Sequence, residues 1–235
     1  MNRSMFLMSS SALAVGASTA TANAAVPGGT ALVERRTSFD EAAFARVVGR
    51  PARIRQVVES IAFNPTTLNN IKNTFNGLQF GYGYAPGAIA VAMANHGPST
   101  AYVLSDAMWR KYRLAEFYKI AATNGTPLTS DVHYPAKSRY DPQASPDDEH
   151  GMYQDTSLEM LQRRGLIVLA CHTAIEEQSR NLVAQGFAPS GATPKDVADD
   201  LLTHLIRGAL VVPSMVATVA VLQAEYRYTY LTLAF

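Results

Sequence analysis

The chain has 235 residues, 48% of them hydrophobic, with 20 Lys+Arg against 19 Asp+Glu and a single cysteine. So even a charge gives no electrostatic basis for nucleic acid or an anionic membrane as a partner, and one cysteine rules out an internal disulfide. The length and apolar content suit one domain with one buried core.

In chain order, the first 24 residues read as a signal peptide. Asn2-Arg3 gives a short positive start, residues 5–15 an apolar stretch, and Ala22-Asn23-Ala24 a small-residue cleavage pattern. The apolar stretch is shorter than a membrane-spanning helix requires. Residues 2–8 also resemble the twin-arginine export pattern, with Asn2 standing where the first arginine would be; general secretion is the other route. Export, with cleavage after Ala24, is therefore expected, and the mature chain is expected to cross no membrane.

Residues 25–51 read as an N-terminal arm with a short helix at 39–48, and residues 52–235 as the folded domain. Within it, strands are expected at 54–63, 88–94, 166–170, 210–213 and 228–233. Helices are expected at 66–78, 106–122, 157–163, 173–185, 195–206 and 214–225. A polar insertion at 124–155 holds four prolines and the run Asp147-Asp148-Glu149; its length marks it as a solvated loop or a functional one. The segment 77–87 is rich in glycine and aromatics but precedes a strand, so it is not a phosphate cradle; its aromatics are expected to pack at the sheet edge or a subunit contact. Strands alternating with helices predict a three-layer α/β/α sandwich around a mostly parallel five-stranded sheet.

In such a fold, ligands bind beyond the carboxyl ends of the strands. Three strand-to-helix junctions qualify: 64–67, 171–173 and 213–214. The middle one holds Cys171. Thr173 and Glu176 fit a capping box, which would place Cys171 just ahead of a helix N-terminus, where backbone N–H groups favour an anion such as a thiolate. His172 adjoins it but is expected to point to the other face. The same residues also fit a buried, inert cysteine at the end of an apolar strand. Asn64, Asn69, Asn73 and Ser214 are candidates to face a ligand, or they cap and solvate. The five histidines show no metal-ligand spacing, and no nucleotide-binding motif occurs, so neither a metal nor a cofactor is expected.

Three stretches, TLNNIKNTFNG at 67–77, RGLIVLACHTA at 164–174 and VVPSMVA at 211–217, resemble the exported branch of the DsrE/DsrF-like proteins. They are followed by Leu222-Gln223 and by Tyr228-Thr229-Tyr230-Leu231. The likeness runs from about Arg53 onward. It implies an α/β/α sandwich, often oligomeric, and in characterised members a cysteine that accepts and passes on sulfur as a persulfide; by position that residue would be Cys171. The expectation is a homo-oligomer or partner-bound protein acting on small sulfur species. Characterised relay members act in the cytoplasm, and their acceptor cysteine need not follow the same strand. The rival readings are a non-catalytic binding or assembly module with Cys171 in its core, and a small-ligand or flavin-binding domain.

Overall fold

Two apolar runs fix the centre of the molecule. IAVAMAN forms strand β2 (Ile89–Asn95) and LIVLAC forms β3 (Leu166–Cys171), and every residue of both is buried. Strands without a solvent-facing side belong in the middle of a parallel sheet covered on both faces. The computed structural model describes residues 33–36, 39–122 and 124–232, so the signal-peptide expectation for residues 1–24 lies outside the described residues.

Strand β1 (Ile54–Ser60) flanks β2, and the short strands β4 (Ala209–Val212) and β5 (Thr229–Thr232) form the edges. The order is β4-β3-β2-β1-β5. All five strands are parallel, so the expected "mostly" parallel sheet is wholly so.

The helices are α1 (Glu41–Val48), α2 (Pro65–Asn76), α3 (Asp106–Lys111), α4 (Leu114–Tyr118), α5 (Leu158–Arg163), α6 (His172–Ala184), α7 (Pro194–Thr203) and α8 (Met215–Ala224). They divide unequally between the faces. Helices α2 to α7 bury Leu68, Ile71, Trp109, Leu114, Leu161, Ile175 and Leu201 against the large side chains of β1 to β3: Val58, Ile89, Val91, Met93 and Val168. Helices α1 and α8 cover the other face, where β2 presents only Ala90, Ala92 and Ala94 beside Ile167, Leu169 and Cys171. Alternating large and small residues in β2 thus let two helices close a face that opposes six. The first three crossovers step the chain from β1 to β4 in one direction. The last returns it across the sheet to β5, and a right-handed connection of opposite sense must lie on the opposite face.

One expectation fails locally. The single helix at 106–122 is broken, because Arg113 adopts a left-handed backbone (φ 47°) between α3 and α4, and Lys119 (φ 58°) ends the second piece. The insertion has no helix or strand and most of it is exposed, as expected of a solvated loop, but it is anchored to the domain at a few buried residues. Asp131, Met152, Tyr153 and Asp155 are buried, and Asp155 accepts from the backbones of Lys137 (2.7 Å), Ser138 (2.9 Å) and Ser157 (2.8 Å). In the glycine-rich segment Phe80 packs edge-on against Tyr153 of the insertion, while Tyr82 is exposed.

Candidate functional site

Cys171 closes β3, and the chain turns directly into α6. The helix begins at His172, two residues before the capping-box reading allowed, so that reading is corrected: Cys171 is itself the N-cap, its Sγ accepting from the N–H of Ala174 at 3.4 Å. Thr173 lies inside the first turn. Its hydroxyl donates to Pro213 O at 3.0 Å, and its N–H faces the same carbonyl at 3.4 Å. Glu176 sits one turn on, with Oε1 3.8 Å from His172 Nε2.

A second helix converges on the same sulfur. Cys171 pairs with Val212 across β3 and β4, and three residues beyond Val212 the N–H of Met215, the first residue of α8, donates to Cys171 Sγ at 3.3 Å. α6 leaves this edge for one face of the sheet and α8 for the other. In this strand order the topological switch point, where the order reverses and a ligand usually sits in an open α/β sheet, falls between β1 and β5, two strands from Cys171. What sets Cys171 apart is that the amino ends of two helices meet on its sulfur, where free N–H groups and both macrodipoles favour negative charge.

The site is closed. Cys171 is 4% exposed, and the Thr173–Pro213 bonds stitch the two junctions together over it. His172 is buried as well, and burial pushes its imidazole below the ordinary histidine value. The 3.8 Å approach to Glu176 is within ion-pair range, but a histidine shifted that way is neutral at pH 7, so we read a neutral ring beside a carboxylate. His172 Nδ1 is buried without a hydrogen-bond partner, and no side chain among the described residues hydrogen-bonds to Cys171 Sγ.

Of the other candidates, only Ser214 joins Cys171. It occupies the N-cap position of α8, half-buried, with no capping bond from its side chain, and lines an apolar groove of about 140 Å³ with Phe39, Phe44 and Thr218. Asn64 caps α2, accepting from Thr66 N at 2.9 Å. Asn69 and Asn73 are exposed on α2, and Asn73 borders an open cavity of about 390 Å³ beside Ile54, Gln56 and Leu231 at the β1–β5 edge, two strands from the cysteine. These asparagines do not converge on Cys171.

A polar cluster that the sequence reading missed lies along the same strand ends. His96 Nε2 is 3.0 Å from Glu59 Oε1, and the Tyr230 hydroxyl donates to Glu59 Oε2. Burial raises the Glu59 carboxyl, but the hydrogen bonds from Tyr230 and His96 outweigh it and hold the group below its usual range. Asn95 pairs with Ala170, so His96 follows β2 level with Cys171 on β3. The available signal was strand parity: Glu59 and His96 share the face of Val57 and Ala94.

Fold and site together define an α/β/α sandwich protein with a buried thiol at the carboxyl end of an interior strand, met by two helix amino ends. Compared with protein-family models, curated proteins and solved structures, the chain matches none. No group of three or more His, Cys, Asp or Glu able to hold a metal occurs among the described residues, nor a helix long and apolar enough to cross a membrane.

Proposed function

We propose that this is an exported sulfur-handling protein of DsrE-like type, in which Cys171 accepts sulfur from a small donor and holds it as a persulfide. The observation that carries the reading is the pair of backbone N–H groups, from Ala174 and Met215, on Cys171 Sγ. Such donors favour the anionic forms the chemistry needs, thiolate before and perthiolate after. With thiosulfate as donor, the thiolate attacks the outer sulfur. The new S–S bond forms as the old one breaks, and sulfite departs with the electron pair. The exported setting rests on the sequence of residues 1–24, and peptide mapping of the protein's amino terminus after expression with an intact export pathway tests it.

Alkylation tests the thiol. Iodoacetamide should modify Cys171 in the folded protein at a rate rising with its thiolate fraction, and thiosulfate or a polysulfide should add one sulfur, read by intact mass. Modification only after denaturation, with no mass gain from either donor, would overturn the proposal.

A second reading is favoured by the 4% exposure of Cys171 and its place in the core cluster with Met215 and Leu222: a non-catalytic assembly module. The exposed apolar residues Val216 on α8 and Tyr82 near α2 support self-association under either reading. Native mass measurement tests that, and a Cys171→Ala variant that loses stability but no activity favours the module.

A further inference from the structure

A second polar site lies at the opposite end of the sheet. At the amino ends of β2 and β3 a cavity of about 210 Å³ is bordered by Arg50, Arg163 and Arg164, with Gln79, Tyr140 and Tyr153 among its other walls. No Asp or Glu borders it. Arg163 is paired with Glu159 at 2.7 Å, but the other two arginines have no carboxylate partner among the described residues.

Arg50 is held by main chain alone: Nη2 donates to Ile89 O at 2.9 Å and to Gly165 O at 3.0 Å. Arg164 donates through Nη2 to Asn76 Oδ1 at 2.7 Å, and its guanidinium lies 5.2 Å from the Phe75 ring centre and 5.1 Å from that of Tyr153. Its Nη1 is buried without a hydrogen-bond partner. Neutral acceptors and ring faces position these cations without neutralising them. A guanidinium taken out of water without a counter-charge is a costly arrangement in an empty protein and a prepared one for an anion. Burial lowers the Arg164 pKa to about 10, the direction expected of a cation that lacks a nearby negative charge.

We propose that this cavity binds an oxyanion through Arg50 and Arg164, the anion being either free inorganic phosphate or the anionic group of a small aromatic ligand whose ring packs on Tyr140 and Tyr153. The site is independent of Cys171. The planar fork of arginine suits bidentate contact with such groups, and the insertion supplies the aromatic walls, which gives its packed conformation a purpose.

Titration calorimetry of the full chain with inorganic phosphate and with phenyl phosphate, at fixed ionic strength set by chloride, tests the proposal. We expect saturable binding tighter than on the order of 10 mM. Phenyl phosphate binding at least tenfold tighter than phosphate points to the aromatic ligand, and equal affinities point to the free oxyanion. Arg164→Gln should weaken either by at least tenfold. Because that variant also loses a contact to the insertion, phenylglyoxal modification of the wild-type chain, mapped by mass, gives a second readout. Phosphate should protect Arg50 and Arg164 while leaving exposed Arg36 reactive. No saturable binding of either anion, an affinity retained within twofold in a folded Arg164→Gln variant, or protection no greater at Arg50 and Arg164 than at Arg36 would overturn the proposal.

Discussion

Asp131 offers a direct test of how the insertion is fastened. Its side chain is 1% exposed; Oδ1 accepts from His133 N at 2.8 Å, and Oδ2 is buried without a partner. Burial, reinforced by the Asp106 charge against a lowering hydrogen bond from His133, raises its pKa from the ordinary 3.8 to about 7. The folded state thus keeps a proton that the unfolded chain releases above pH 4. Stability must therefore fall as pH rises from about 4 to about 7, and level off above that. At about 1.4 kcal/mol per unit, the full shift corresponds to about 4 kcal/mol. The insertion offers a cheaper escape by opening locally and hydrating the carboxylate, so we expect a measured loss on the order of 2 kcal/mol. Asp131→Asn keeps an oxygen for His133 N and removes the charge. In urea unfolding between pH 4.5 and 8.5 the variant should be within about 1 kcal/mol of wild type at pH 5 and more stable by on the order of 2 kcal/mol at pH 8. His133, pushed below its ordinary value by burial and by Lys137, contributes a slope of opposite sign below pH 6.5. It does so in both proteins and cancels in the difference. Parallel pH curves for the two proteins would refute the assignment.

Other substitutions probe the same frame. Gly165→Ala meets two obstacles, a backbone at φ +105° and a Cβ that would sit 3.2 Å from Arg50 Nη2, and should cost about 2 kcal/mol in chemical denaturation. Asp155 is raised by burial but lowered more by its bonds from Ser157, Lys137 and Ser138, so its contribution is present above pH 4 and lost as pH falls through its depressed value. Asp155→Ala should cost about 2–4 kcal/mol and expose residues 137–154 to limited proteolysis, a pattern absent from wild type. Trp109, the one tryptophan, is fully buried and donates to Ala101 O at 3.1 Å. Its emission should be blue-shifted and nearly immune to iodide, and Trp109→Ala should cost about 3–5 kcal/mol.

The parts of the fold legible in the sequence were those whose signal is local. β2 and β3 announce themselves as unbroken apolar runs, and α2 through Leu68, Ile71 and Phe75, which all reach the core. The break between α3 and α4 has no such signature, because Arg113 is not a residue that marks a left-handed turn; tertiary packing of Trp109 and Leu114 overrides its preference. The capping box at Thr173 and Glu176 was a correct pattern applied two residues late. The geometry of the β3 edge makes Cys171 the cap, and Thr173 is drawn to Pro213, forty positions away. The arginine cavity was invisible for a similar reason, since Arg50 meets Gly165 across 115 positions.

The chemistry proposed for Cys171 follows from topology more than from the residue. A cysteine ending a buried strand normally has one helix N-terminus near it. Here the chain completes β4 beside β3 and must then return to β5 across the other face, so α8 has to start over the same edge from which α6 has just left. Sγ lies on the α8 side of the sheet while remaining the cap of α6, and so it collects one N–H from each. Cys171→Ser separates this consequence of the crossover from simple core filling. A hydroxyl keeps an acceptor for Ala174 and Met215 but cannot hold sulfur, so the variant should stay within about 1 kcal/mol of wild-type stability and lose all mass gain from thiosulfate. A Cys171→Ser protein destabilised as much as Cys171→Ala would mean that the two amides contribute nothing at this position, and that apolar packing alone selected the cysteine.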